Sequence, residues 1–544
     1  MRFHESKTES GQKTSKNLFL WGVLLILIVF ATVLRVISCY WGTPLEFHID
    51  EQFILFPALK LIENKTYICR LYMRPDQVEI KLIALVLKAA SNILWGSDPN
   101  VVFDTHSVAI YVMSRFVISA FGILMVPVSA ITAGHLGEKL GFKKTPAMLI
   151  AAAYLTFSPI LIKHSGYITP DVPLTCVFLL FGFFFIRYLE QGKIRDLVLC
   201  SVVSGIGTMI KYPSGILFLM IAFMVIFRAI REKKYRDILL QGLLSAGVAF
   251  LTMLLIMPNL IEDLPKIIES FLTEAGDAHL EAPNKGYWGN LLFYCQTVVS
   301  DSGYLSLLPF GFGLYTVLRN RKRCSLFFLI GPVFVLCMAA IPLTWERWTL
   351  PIFPYYHIMV TIGILSMTRF FSDKMKFFSV LTYVIAVLTV LNILLSGIAM
   401  GKHLSLPDSC TYARAELDLT DINSYNTFSQ YRTPFSTWYG REQISKFDVS
   451  PEGTASIHDE FSAYRYFAYS DYFLEYYRLA PEKYDAELKV YEAIDNTFPK
   501  VYELYPDGNY EQKPFLICNI PYTIQYLLSS DTHITGYHVC IVSL

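Results

Sequence analysis

Apolar runs of membrane-crossing length alternate with short polar segments from residue 18 to residue 401. The first, Leu18–Tyr40, is long enough as a helix to cover about 30 Å of hydrocarbon. It is longer than the apolar core of a signal peptide, and no A-x-A cleavage site follows it, so it is expected to be a retained span. Further runs fall at about 108–134, 145–162, 172–189, 197–212, 213–228, 238–258, 303–318, 326–342, 349–368 and 379–401, which makes about eleven spans. The fifth and sixth meet at Lys211-Tyr212-Pro213-Ser214-Gly215, which predicts a tight hairpin or a broken helix. Between the first two spans, residues 41–107 form a long loop. Within it Val78–Leu94 mixes Glu79, Lys81 and Lys88 with apolar residues at helical spacing, the pattern of an amphipathic helix lying on the membrane. Residues 402–544 lose the long apolar runs. Val539–Leu544 and Phe515–Ile520 read as strands and Ala480–Phe498 as helix, so this segment is expected to form a small α/β domain with its own core.

Composition agrees with the pattern: 54% of the 544 residues are hydrophobic and 17% charged, against about 25% charged in soluble domains. The net charge of +1 leaves no basic footprint for nucleic acid. The distribution of charge is more informative than its sum. Basic residues gather in alternate segments: Arg2, Lys7, Lys13 and Lys16; Lys139, Lys143 and Lys144; Arg187, Lys193 and Arg195; a cluster from Arg228 to Arg236; another from Arg319 to Arg323; and Arg369, Lys374 and Lys376. By the positive-inside rule these segments are cytoplasmic, so residues 1–17 form a cytoplasmic tail. The first long loop and the C-terminal domain are then extracytoplasmic. The short outer loops carry one cation each, Lys163, Lys211 and Arg347. The ten cysteines show no C-x-x-C spacing, which argues against a zinc or thioredoxin-type site; Cys410, Cys518 and Cys540 share the last segment and could pair in an oxidising space. No internal repeat supports an inverted-repeat transporter.

Candidate chemistry collects on the predicted outer face. Phe47-His48-Ile49-Asp50-Glu51-Gln52 places two carboxylates and a histidine just beyond the first span. Asp50 could simply cap the helix that starts near Gln52, yet a carboxylate at the mouth of a membrane cavity can also serve as general base or metal ligand. Asp171, in Thr169-Pro170-Asp171, is pinned near the membrane plane on the same side and also suits a helix start. Arg347 could bridge to neighbouring Glu346 or reach lipid phosphate, but an arginine fork also suits a phosphate ligand. Tyr40, Trp41, Trp288, Trp345 and Trp348 read as an interfacial aromatic belt.

Four stretches in order resemble the polytopic GT-C type glycosyltransferases, among them the protein O-mannosyltransferase and aminoarabinose-transferase-like proteins. They are His48-Ile49-Asp50-Glu51, Thr169-Pro170-Asp171, the G-x-x-x-x-K-Tyr-like Gly205 to Tyr212, and the E-R-aromatic-x-L-P-x-x-P stretch Glu346 to Pro354. Together they span most of residues 18–400. This chain departs from the pattern at Trp348, where tyrosine is usual, at Ile49, where proline is common, and by one extra residue before Lys211.

The resemblance implies an α-helical polytopic membrane enzyme, with a glycosyltransferase domain over 18–401 and an extracytoplasmic C-terminal domain over 402–544. It implies transfer of a hexose or pentose from a polyprenyl- or dolichyl-phosphate donor to a hydroxyl of a lipid, glycan or protein acceptor, with inversion, at the outer face of the cell membrane. By the same resemblance Asp50 is the base, with Glu51 beside it in the catalytic pair. Asp171, Lys211, Arg347, His48 and Tyr212 line the substrate site. No cofactor is certain, and a divalent cation at Asp50 and Asp171 stays open. Two other classes share some of these features: a flippase or transporter of a lipid-linked saccharide, and a non-catalytic receptor or scaffold.

Overall fold

The computed structural model describes residues 2–43, 45, 48, 50–72, 74–275, 286–341, 344–372, 376–435, 443–478, 481–511, 517–530 and 533–544. Its contacts divide the chain into two units. The first comprises Met1–Cys39, Asp50–Gly401 and Gln512–Leu527; the second comprises Tyr40–Ile49, Lys402–Glu511 and Leu528–Leu544. One division falls between residues 401 and 402, and two short segments group away from their sequence neighbours: 40–49 with the second unit and 512–527 with the first.

The first unit is helical. Helix α1 (Arg2–Tyr40) is followed by α2 (Glu51–Glu63), α3 (Gln77–Leu94) and α4 (Pro99–Lys139). Next come α5 (Lys144–Phe157), α6 (Pro159–Ser165), α7 (Asp171–Gln191) and α8 (Ile194–Ile210). A 3₁₀ turn, Tyr212–Gly215, leads into α9 (Ile216–Glu232) and α10 (Arg236–Ile256). The rest are α11 (Leu260–Ala275), α12 (Gly286–Ser302), α13 (Leu307–Asn320), α14 (Ile330–Met338), α15 (Phe353–Ser372) and α16 (Lys376–Ser405).

Among the described residues seven helices are long and apolar enough to cross a membrane, or eight if the bent pair α5–α6 is one span. The other expected spans are the shorter helices α8, α13 and Arg323–Met338. The protein is an integral membrane protein. The 53° bend between α5 and α6 falls at Ser158-Pro159. Asp301 closes this break: its carboxylate accepts from Ser158 Oγ at 2.7 Å and from the Ile160 amide at 2.9 Å. Helices α13 and α15 approach closely because Gly313 and Gly363 carry no side chain; a Cβ at Gly363 would overlap the Pro309 carbonyl.

Two amphipathic helices differ from expectation. Helix α3 exists where the spacing places it, but its polar residues do not all face out. Glu79 is fully buried while Leu85, Ile93 and Leu94 are exposed. The buried stripe is otherwise largely apolar, with Ile80, Ile83, Ala84 and Leu87, so Glu79 is a buried acid set into an apolar face, while the exposed side is mixed and includes Lys88. Helix α11, in a stretch with no predicted element, exposes Ile261, Leu264, Ile268, Phe271 and Leu272 along one side.

The second unit is the expected α/β domain. Strands β1 (Thr427–Ser429), β2 (Phe447–Val449), β3 (Ala455–Ile457), β4 (Tyr466–Ser470), β5 (Lys500–Leu504) and β6 (Val539–Ser543) form two sheets. The larger has the order β1-β4-β6-β5, with β1 parallel to β4 and the other pairs antiparallel. Strand β4 is buried along its whole length, as its apolar run requires of a central strand. Phe467, Tyr469, Tyr477, Tyr491, Ile494 and Val542 fill the core. The expected helix over 480–498 appears as Asp485–Thr497. The strand expected at Phe515–Ile520 is not formed over its described part: Ile520 begins a helix, Ile520–Leu528, and Phe515 lies outside the described residues. All ten cysteines are free; Cys410 donates to the Arg432 carbonyl at 3.0 Å rather than pairing with Cys518 or Cys540.

Candidate active site

The site is assembled from helix ends. Asp50 is the N-cap residue of α2, yet its side chain makes no capping hydrogen bond. Asp171 is the first residue of α7, preceded by Pro170, whose fixed φ suits a helix start. Both carboxylates therefore sit at the positive end of a helix dipole. Lys211 follows the last residue of α8 in extended backbone, where a cation meets the negative end. Arg347 lies in the 3₁₀ turn Glu346–Ile352 that leads into α15.

These four residues meet. Arg347 Nη2 lies 3.2 Å from Asp50 Oδ2, and Arg347 Nε lies 3.7 Å from Asp171 Oδ2. Lys211 Nζ donates to Asp171 Oδ1 at 2.7 Å. Two aromatic rings back the cations: Lys211 Nζ is 5.3 Å from the Trp348 ring centre and Arg347 Cζ is 5.3 Å from that of Trp345. Trp345 and Trp348 thus line the site instead of serving only as an interfacial belt. Glu346 does not bridge to Arg347; its partner is Lys163 Nζ at 3.4 Å.

A third cation, missed in the sequence, completes the cluster. Arg74 Nη1 pairs with Asp50 Oδ2 at 2.8 Å, and its Nη2 donates to the Asp50 carbonyl at 3.2 Å. Its Nε lies 2.5 Å from Asp76 Oδ2 in an ion pair that is not an aligned hydrogen bond. Burial works against the charge on Arg74, but Asp50 and Asp76 outweigh it and hold the guanidinium above its ordinary value. Asp76 is itself fully buried and pushed up to about 6, mainly by burial, with Arg74 opposing the rise. Glu79, one turn into α3, is raised well above the carboxylate range by burial and by Asp76. The signal for these residues was present. Arg74-Pro75-Asp76 sets a cation and an acid at a helix start, and Glu79 stands four residues before buried Ile83 on one helical stripe.

The other expected site residues are placed differently. Glu51 is fully buried and clasped by Arg115, with Nε–Oε1 and Nη2–Oε2 both at 2.8 Å. Its Oε1 also accepts from the Ile168 amide at 3.1 Å. Tyr212 donates to the Tyr72 carbonyl at 3.0 Å and packs edge-on against Phe271 of α11. It therefore supports the loop ahead of Arg74. His48 is half-buried and belongs to the second unit.

Among the described residues no group of three or more His, Cys, Asp or Glu side chains could hold a metal ion. Asp50 and Asp171 already face Arg74, Arg347 and Lys211. A dication between them would displace or oppose these charges, so the donor set does not fit a metal centre. What the cluster offers is a carboxylate held between two arginine forks, with a lysine alongside. Such forks can turn from carboxylate to phosphate oxygens, and the carboxylate can take a proton.

Residues 105–261 carry the sequence signature of polytopic GT-C type glycosyltransferases. The family they match is described as dolichyl-phosphate-mannose-protein mannosyltransferase. The matched stretch contains Asp171 and Lys211, while Asp50, Arg74 and Arg347 lie outside it. No curated protein sequence matches the chain significantly. Among solved structures, the chain is similar to apo ArnT from Cupriavidus metallidurans at 14% identity and a TM-score of 0.45, covering 70% of this chain and 71% of that one. The same protein bound to undecaprenyl phosphate is similar at 13% identity and TM-score 0.48, covering 96% and 98%. The oligosaccharyltransferase of Archaeoglobus fulgidus, in complex with zinc and sulfate, is similar at 11% identity and TM-score 0.49, covering 90% and 72%.

Proposed function

We propose that the protein is a membrane glycosyltransferase that moves a hexose or pentose from a polyprenyl-phosphate donor to an acceptor hydroxyl. The reaction takes place on the extracytoplasmic side, a reading that the distribution of basic residues along the chain supports. The observation that carries this reading is the sharing of Asp50 Oδ2 by Arg74 and Arg347. Asp50 removes the acceptor hydroxyl proton, the acceptor oxygen bonds to the anomeric carbon, and the bond from that carbon to the phosphate oxygen breaks. The lipid phosphate leaves with one more negative charge than it had in the donor. Asp50 loses its charge in the same step, so Arg74 and Arg347 transfer their pairing from carboxylate to phosphate without the site changing its total charge. Attack from the face opposite the phosphate inverts the anomeric centre.

Asp171 orients Lys211 and Arg347 toward that phosphate. Glu51 has its oxygens engaged by Arg115 and Ile168 and acts as a structural residue, not a second catalytic acid. The match of residues 105–261 to mannosyltransferases that use dolichyl-phosphate mannose supports the donor class. The test is Asp50→Asn in purified protein supplied with a polyprenyl-phosphate sugar. A fall in turnover of about 10²–10⁴-fold with folding intact is expected for loss of a general base. Transfer that survives the change removes Asp50 from this role.

A further inference from the structure

The proposed mechanism uses Asp50, Asp171, Arg74, Lys211 and Arg347, and leaves two buried acids unexplained. Asp76 and Glu79 are both fully buried, and neither carboxylate accepts an aligned hydrogen bond from a described residue. Burying a carboxylate is costly, and buried acids are ordinarily hydrogen-bonded or paired. Asp76 also holds left-handed backbone at φ 41°, unusual for a residue with a side chain and tolerated best by Asn and Asp. That backbone turns its carboxylate onto Arg74 Nε, the edge of the guanidinium that does not face Asp50. Arg74 is thereby gripped on one edge and offers its two terminal nitrogens on the other.

We infer, on the footing of the lipid-phosphate reading above, that Asp76 is a positioning residue that anchors Arg74 by Nε so that its terminal nitrogens can swing between Asp50 and the donor phosphate. Glu79 stands behind Asp76 as a neutral acid. Asp50, Asp76 and Asp171 then balance Arg74, Lys211 and Arg347 one for one, and an ionised Glu79 would leave one negative charge in excess where a phosphate has to bind. The two acids are thus assigned opposite requirements: Asp76 ionised, Glu79 uncharged.

Full-length protein in nanodiscs, titrated with farnesyl phosphate and followed by tryptophan fluorescence from Trp345 and Trp348, tests this. Wild-type protein is expected to bind. Asp76→Asn should weaken binding by at least about tenfold, the weight of one charge-assisted contact. Asp76→Glu should recover part of the loss, and Glu79→Gln should bind within about twofold of wild type, since a neutral isostere leaves the local charge unaltered. Thermal unfolding, recorded alongside, separates anchoring from support: an anchoring Asp76 gives weakened binding in Asp76→Asn with an unfolding midpoint at or above the wild-type value. Unaltered binding in Asp76→Asn, or a loss that merely tracks a lowered midpoint, overturns the inference while leaving the donor reading intact. Glu79→Gln losing as much affinity as Asp76→Asn overturns the neutral-acid assignment. Wild-type protein that does not bind the probe, or binds it equally after Arg347→Ala, overturns the donor reading and this inference with it.

Discussion

Replacing Glu51 separates a structural acid from a catalytic one. In the native protein its two oxygens accept hydrogen bonds that include two from Arg115 at 2.8 Å and one from the Ile168 amide at 3.1 Å. Both ionic partners are 0% exposed. Glu51→Ala leaves a guanidinium buried without its carboxylate, although Arg115 Nη1 keeps its bond to the Cys39 carbonyl at 3.2 Å. Breaking a buried pair from one side costs about 3–5 kcal/mol. Replacing both residues by apolar ones of similar volume is often close to neutral, so Glu51→Leu with Arg115→Met should recover most of that loss. The recovery is incomplete because the Ile168 amide is still orphaned, which costs about 1–3 kcal/mol. Thermal unfolding of detergent-solubilised protein, run for the two single variants and the double, reads the coupling directly. Turnover of each variant, normalised to folded protein, should stay near the wild-type value. A Glu51→Ala protein with an unshifted midpoint and abolished turnover would refute the structural assignment and return Glu51 to the chemistry.

Other outcomes follow from the same geometry. Asp76 sits above its unfolded-state pKa of 3.8, at about 6, so the native state holds this proton more tightly than the unfolded chain does. Its contribution to stability is fully present below pH 3.8 and is lost as pH rises through about 6. At pH 7 the ionised, buried carboxylate therefore costs at most about 3 kcal/mol, and Asp76→Asn should raise the unfolding midpoint at pH 7 but not at pH 4. Equal midpoint shifts at the two pH values would contradict that account. Gly363→Ala should destabilise the crossing of α13 and α15, because the added methyl meets the Pro309 carbonyl and backbone must move; a circular-dichroism melt with no change would show that the crossing has slack.

The parts of the site that could be read from the sequence are those announced by local chemistry at a span end. Asp50, Asp171, Lys211 and Arg347 each interrupt an apolar pattern, and the structure brings all four within ion-pair distance. Which cation meets which acid was not legible, because the pairs lie far apart in sequence and are chosen by helix packing. Adjacent Glu346 and Arg347 illustrate this: they diverge, one to Lys163 and the other to Asp50 and Asp171. Glu79 was misread because polar residues on an amphipathic helix are expected to face away from the protein core. On α3 the buried stripe is still largely apolar, with Ile80, Ile83, Ala84 and Leu87, and Glu79 sits within it; the exposed side carries apolar Leu85, Ile93 and Leu94 beside Lys88. Glu51 was legible as unusual but its partner was not, since Arg115 lies 64 positions away inside a predicted span. In the second unit, strand β6 was announced by its apolar run, while β1 to β3 are each three residues long and too short to carry a periodic signal.

The sharing of Asp50 by two arginines also bears on the order of events. A carboxylate flanked by two guanidinium groups is a weaker base than one standing free. On the lipid-phosphate reading proposed above, an arriving phosphate would draw the arginines off Asp50 and free that carboxylate as a sugar comes into place. The same atoms would then act as an interlock, in which the fuel switches on the engine. Kinetically this would make the donor the leading substrate, and it would leave an acceptor or a water molecule that arrives first without a base to activate it.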